Sequence, residues 1–323
     1  MLLRDILSGK DSQVSAIVTV IARNAPDIIA LQGIDWDLEN AALTALQGQL
    51  AEAGLDLPYS FARKPNSGLQ SDQDLDGDGR RGGPADAQGF GRFTGSGGIA
   101  VLSRFPIETE KARDFTDLMW ADKVDAQMPR HPDGSPFPSK PAWRAQRLSS
   151  TAHWVVPVVL PDSTTLSLLT FQAGPPVFDG PEDRNGKRNH DEISLWGDVL
   201  DGHLGDVPDN PIVLGGANLD PHDGEGRHEA ITQLLRHPLL QDPEPESVGA
   251  TVAPSEGHTG PHALDTVDWP RVGRFRVDYV VPGADWRVQS AGVDWPANKA
   301  ALELVQTASR HRLVWVDLLP PLQ

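Results

Sequence analysis

Residues 26–32 read PDIIALQ. Pro26 and Asp27 halt a helix arriving from upstream, and the run from Ile28 to Leu31 is short and apolar, the pattern of a buried strand. Before it, QVSAIVTVIARN (residues 13–24) places Val14, Ile17, Val18 and Ile21 at helical spacing, behind an Asp11-Ser12 pair suited to capping a helix start. After it, residues 38–54 resume a helical period through Leu38, Ala42, Leu46 and Leu50 and stop at Gly54. A strand between two helices is an α/β beginning.

The strand theme returns in GGIAVLSRFPI (97–107), HWVVPVVL (153–160), TLSLLTF (165–171), PIVLGGANL (211–219), RFRVDYVVP (274–282), DWRVQSAGV (285–293) and HRLVWVDLL (311–319). Between them, residues from about 65 to 98 turn to Gly, Asp, Gln and Ser, and those from about 122 to 146 to Pro and charge, so two long loops are expected. A helix is expected over ISLWGDVLDGHL (193–204). No short repeat and no clean linker divides the chain, so residues 1–323 are expected to form a single domain.

The 28 Lys and Arg residues face 45 Asp and Glu, and the net charge of −17 repels a polyanion over most of the surface. Long nucleic acid is therefore a poor partner, and a small phosphoester a better one. The absence of cysteine removes disulfides, thiolate catalysis and sulfur-ligated metals. No window approaches 18 consecutive apolar residues, and Arg4 and Asp5 interrupt the start too early for a signal peptide, so no membrane span and no export signal are expected in the chain, which leaves its compartment open. A monomer is expected.

Polar groups set beside stiff strands are where a sheet holds chemistry rigidly. Five places qualify: LQGIDWD, TFQAGPP, LGGANLDP, RVDYVVP and SRHRLVW. With GIAVLSRFPI between the first two, their order and spacing resemble the endonuclease/exonuclease/phosphatase superfamily over nearly the whole chain, and PPVFDGPEDRNGKRNHDE (175–192) resembles a bacterial branch of it. The resemblance implies a four-layer α/β/β/α sandwich of two packed mixed sheets flanked by helices. It also implies metal-assisted phosphoester hydrolysis, in which an Asp activates water, a His pair surrounds the phosphate, and a Glu and an Asn hold Mg²⁺.

Position by position, part of that machinery is replaced. The Glu that follows LQ in the family is Gly33; Asp35, two residues on, is the candidate substitute ligand if the strand continues, and Trp36 beside it lines a pocket or packs in the core. The central-strand His is Gln172, which can hydrogen-bond a phosphate oxygen without carrying charge. The family's Gly-Asp-x-Asn reads Gly215-Gly216-Ala217-Asn218, so Asn218 is kept, the water-activating Asp is lost, and Asp220 is the second candidate metal ligand. Asp278 and His311 are retained, and together with Asn218 they form the expected catalytic set. Arg310 stands where the family has an Asp before that His, and a neighbouring cation is expected to favour the neutral ring. The first strand of the family, which carries an Asn, is expected to be missing.

In the 175–192 stretch, Arg184, Arg188, Asn189 and His190 are candidate substrate contacts, the alternative being a hydrogen-bonded structural loop. Asp74, Asp76 and Asp78 in DLDGDG resemble the first half of a calcium loop, although position twelve, Ala85, supplies no Glu. Three readings follow: a metal-dependent phosphoester hydrolase with impaired catalysis, an inactive relative that only binds, and a calcium-stabilised extracellular binding domain. The ordered motifs favour the first two.

Overall fold

The structure, a computed structural model, describes residues 2–321. After a short helix α1 (Leu2–Ser8), Asp11 caps α2 (Ser12–Asn24) by accepting a hydrogen bond from the Val14 amide at 2.9 Å, and Ala25 in the left-handed region releases the chain into Pro26. Strand β1 (Ile28–Ile34) follows as expected. Helix α3 (Ala41–Glu52) starts three residues later than the apolar period suggests, because the Asp37 carboxylate accepts the Ala41 and Ala42 amides and Leu38 is left exposed in the turn.

Strands β2 (Tyr59–Phe61) and β3 (Gly98–Ser103) join β1 in an antiparallel sheet of order β1-β3-β2. The second sheet takes β4 (Arg113–Asp114), β5 (His153–Val159), β6 (Thr165–Gln172), β7 (Pro211–Gly216) and, beyond the hairpin β8 (Val267–Trp269) and β9 (Gly273–Phe275), β10 (Asp278–Pro282). Its order is β10-β7-β6-β5-β4, with β6 and β7 parallel and the other neighbours antiparallel. The last two strands, β11 (Arg287–Val293) and β12 (Val314–Leu319), pair with each other.

Three cores stack these elements into four layers. Leu43, Leu46 and Leu50 of α3 and Val14 and Ile21 of α2 pack on Ile29, Leu31, Ala100 and Leu102 of the first sheet. Between the sheets, Ile28, Ala30, Ile99 and Val101 meet Trp154, Val156, Leu166, Leu168, Ile212 and Leu214. On the far side, Ile193, Trp196 and Val199 of α5 (Arg184–Leu200), preceded in the chain by the short α4 (Lys140–Ala145), and Ala230, Ile231 and Leu234 of α6 (Glu229–Leu235) cover Leu169, Phe171, Val213 and Tyr279. The four-layer sandwich is thus present, with the parallel pair confined to the second sheet.

Past α7 (Val248–Thr251), helix α8 (Lys299–Ala308) packs Val305 and Ala308 against Ala16 and Val20 of α2. Among the described residues no strand precedes β1, and neither β1 on the side away from β3 nor β12 on the side away from β11 has a strand partner. No helix of the structure is long and apolar enough to cross a membrane.

Two expectations are corrected here. The second long loop contains α4, started by the Ser139 side chain accepting the Ala142 amide. Helix α5 begins at Arg184, nine residues before the apolar run, so half of the polar 175–192 stretch is helical.

Candidate active site at the mouth between the sheets

Side chains alternate along a strand, so the faces that build the inter-sheet core also decide which residues reach its open end. Behind Leu166 and Leu168 on β6 comes Gln172; behind Ile212 and Leu214 on β7 comes Gly216; Asp278 precedes Val280 on β10; and Gln32 follows Ile28 and Ala30 on β1. Strand register sets Gln172 beside Gly216 and Gly216 beside Asp278. A Cβ on Gly216 would stand 2.6 Å from Gln32 Oε1 and 3.5 Å from Asp278 Oδ1, so the Gln32 amide fills the space in front of that glycine.

His311 closes the row. Its Nδ1 lies 2.8 Å from Asp278 Oδ2 and 3.1 Å from Oδ1, while Thr266 Oγ1 donates to Asp278 Oδ2 at 2.9 Å and accepts the Val277 and Asp278 amides at 3.0 Å. Trp269 stands edge-on to the imidazole with ring centres 5.9 Å apart. Burial works against charge on this ring, but the Asp278 carboxylate outweighs both burial and the repulsion of Arg310 and Arg312, and His311 is held above its ordinary pKa. The expectation drawn from Arg310 is therefore corrected: the partner that decides the charge of His311 is 33 residues away in the chain.

Asn218, in the left-handed region just past β7, donates from Nδ2 to the Ala173 carbonyl at 2.7 Å and ties the ends of β6 and β7 together. The two candidate metal ligands are placed differently. Gly33, at φ +74°, sits in a bulge where the β1–β3 register shifts between Gln32 and Ile34, and the strand stops at Ile34. The alternation that would aim Asp35 into the site is lost, and Asp35 Oδ1 accepts the Gly97 amide at 2.9 Å. Asp220, nearly buried, accepts the His222 and Asp223 amides on Oδ1 and the Arg276 amide on Oδ2, so it braces its own loop.

In the structure the candidate contacts of the 175–192 stretch make hydrogen bonds within the protein, the structural alternative. Arg188 is buried, and its guanidinium donates to the Leu148, Arg147, Ser149 and Gln88 carbonyls. Asn189, fully buried, donates from Nδ2 to Gly174 O at 2.8 Å and Ala217 O at 2.7 Å. Arg184 reaches the Leu75 carbonyl in the Asp-Gly loop, and His190 contacts Asp191 and Gln127. Glu192 accepts the Gly174 and Ser150 amides and the Ser150 hydroxyl. These residues hold the long loops against the strand ends; Gln32, Thr266 and Trp269, none of them singled out from sequence, are the residues that line or orient the mouth.

Among the described residues, the one group of three acidic or His side chains whose ligand atoms lie within 4.8 Å of one another is Asp74, Asp76 and Asp78, where a metal ion can be held. At the mouth, the donors are amides, one imidazole and one carboxylate already engaged by His311 and Thr266. That set does not fit a Mg²⁺ ion, which seeks oxygen ligands led by carboxylates in near-octahedral array.

A sequence model of the Endonuclease/Exonuclease/phosphatase family matches residues 6–311. The chain belongs to that family. Endonuclease/exonuclease/phosphatase proteins are hydrolases that generally depend on divalent metals, which makes the donor set at this mouth unusual. Among solved structures, the chain is similar to an endonuclease/exonuclease/phosphatase from Beutenbergia cavernae (17% identity, TM-score 0.56, 94% of this chain and 65% of that one). It is also similar to a family protein from Leptotrichia buccalis (16%, TM-score 0.53, covering 95% and 92%). The human Nocturnin catalytic domain, solved with a bound sulfate anion, gives 14% identity and a TM-score of 0.51 over 96% and 87%. At such identities the likeness shows the fold alone. This chain spans about two thirds (65%) of the Beutenbergia protein's length. No curated protein matches it.

Proposed function

We propose that this endonuclease/exonuclease/phosphatase protein acts as a single-domain monomer that binds a small phosphoester at the mouth between its sheets and hydrolyses it weakly. The observation that carries the reading is the glycine at position 216 with the Gln32 amide in front of it. His311 can offer Nε2–H to a phosphoryl oxygen, and Asp278 and Thr266 fix the ring that donates it. Neither Gln32 nor Gln172 can take a proton from an attacking water at neutral pH, so binding is supported better than turnover. The net charge of −17 favours a small ester over a polymer. The same glycine supports a second reading, a family member that binds without turning over.

The test restores the missing groups. Gly216→Asp with Gln172→His is expected to raise turnover of bis(4-nitrophenyl) phosphate in Mg²⁺ by at least about tenfold, the low end of what a positioned acid or base contributes. The new Cβ at 216 meets the flexible end of Gln32, which can swing aside, and stands at ordinary contact distance, 3.5 Å, from Asp278 Oδ1. Unmodified protein as active as the double variant would overturn the reading.

We further propose that the Asp74, Asp76 and Asp78 loop takes Ca²⁺ as a structural ion. Asp74 already accepts the Gly77 and Gly79 amides, which curls the loop so that the three carboxylates converge. Ca²⁺ at about 100 times its Kd is expected to add about 2.7 kcal/mol of stability, visible as a raised Tm. Asp76→Asn should abolish the shift, and a wild-type Tm indifferent to Ca²⁺ would refute the assignment.

A further inference from the structure

Resting on the phosphoester-binding reading, we infer that the mouth holds its oxyanion without a divalent cation, the protein's own hydrogen-bond donors, His311 among them, doing what a metal would otherwise do. The row across β6, β7 and β10 reads Gln172, Gly216, Asp278, with Gln32 facing it from β1. Of these, Asp278 alone is acidic, and its oxygens are already engaged by His311 and Thr266.

A divalent cation placed here would find neutral amide oxygens and a single carboxylate already engaged by His311 and Thr266, a weak set for an ion that seeks several carboxylates. An oxyanion finds the reverse. His311 is partly exposed on its side chain with its Nδ1 held on Asp278, and Arg310, exposed, precedes it in the chain. The amide groups of Gln32 and Gln172 complete the wall. Gln172 Oε1 is buried and receives no hydrogen bond, so the amide is not locked in one sense by its surroundings. A ligand in the mouth cannot reach that buried oxygen, so the Nε2 end of the amide is the group that can donate to an oxyanion. Hydrogen bonds from charged and amide N–H groups to phosphoryl oxygens are of the strong, charge-assisted kind.

The experiment is calorimetric titration of the full chain with inorganic phosphate and with dimethyl phosphate, once in EDTA and once in millimolar MgCl₂. The expected result is binding in EDTA with a Kd within about twofold of that in Mg²⁺, which corresponds to a negligible difference in free energy. His311→Gln, and separately Gln172→Ala, are each expected to weaken binding by about tenfold, the loss of one charge-assisted or buried hydrogen bond. Two variants are used so that a folding defect in one, checked by its circular dichroism melt, leaves the other to decide. Binding that requires Mg²⁺, or tightens by tenfold or more with it, overturns the metal-free inference and leaves the phosphoester reading standing. Failure of both probes to bind in both buffers overturns the phosphoester reading itself, and the inference with it.

Discussion

Replacing Arg188 with alanine is expected to destabilise the protein by about 3–5 kcal/mol, because it strips several buried carbonyls of a charged donor and removes a buried charge that acts on Glu192 through space. Arg188 is 7% exposed, and its guanidinium fans out to carbonyls at 88, 147, 148 and 149, which belong to segments separated from it by 39 to 100 positions. Glu192, one helical turn on and fully buried, accepts donors from Ser150 and Gly174. Burial pushes the Glu192 carboxyl up while Arg188 draws it back; burial lowers Arg188 to about 10, which leaves it charged at neutral pH. Alanine would strip donors from buried carbonyls and leave Glu192 without its counter-charge, and partial protonation of Glu192 would limit the loss. Urea unfolding measures this directly through the midpoint at unchanged slope. Arg188→Lys should recover only part, since an ammonium cannot reproduce the fork. In a double-mutant cycle, Arg188→Ala with Glu192→Gln should cost less than the two single changes added together. A loss below about 1 kcal/mol for Arg188→Ala, the range of ordinary surface changes, would contradict the scaffold role.

That scaffold was hard to see in the sequence for a physical reason. RNGKRNHDE has no apolar period, so nothing local marks it as helix, and its helix is held by polar contacts to distant loops. The strands were legible because burial on both faces demands short apolar runs such as DIIALQ and TLSLLTF, and their ends followed from alternation. The same alternation puts Gln32 on the inter-sheet face; comparison with the family directed attention to position 33, which the bulge turns into a place only a glycine suits easily. His311 shows the other limit. Its neighbour in sequence, Arg310, suggested a neutral ring, yet the group in hydrogen-bond contact is Asp278, to which the bridge between Val267 and His311 brings the ring. Charge at a site is set by neighbours in space, and only the pairing of strands reveals them. The replaced positions at 216 and 172 were legible as residues, while the amide filling the gap between them was not.

Asp265→Asn is expected to stabilise the protein above about pH 7 and to flatten the decline in its stability between about pH 4 and 7. Asp265 is 5% exposed, its Oδ2 is buried without any donor, and the nearest His262 nitrogen stands 3.9 Å away. Burial, reinforced by the Asp220 and Asp223 charges and opposed by His258 and Arg274, pushes this carboxyl from 3.8 up to about 7. The folded state then holds a proton between about pH 4 and 7 that the unfolded chain has released, so stability falls across that window as pH rises and levels off above it. A shift of this size corresponds to an upper bound of about 4 kcal/mol once Asp265 is charged, and about 2 kcal/mol is a realistic fraction after local relaxation and water entry. Asparagine keeps the shape and never ionises, so the advantage of the variant should grow by about 1–2 kcal/mol between pH 5 and pH 8. Urea midpoints for both proteins at those two pH values supply the comparison. An advantage that is the same at both would mean that Asp265 keeps an ordinary carboxylate pKa, and that its buried oxygen finds a donor in solution, with water the simplest candidate.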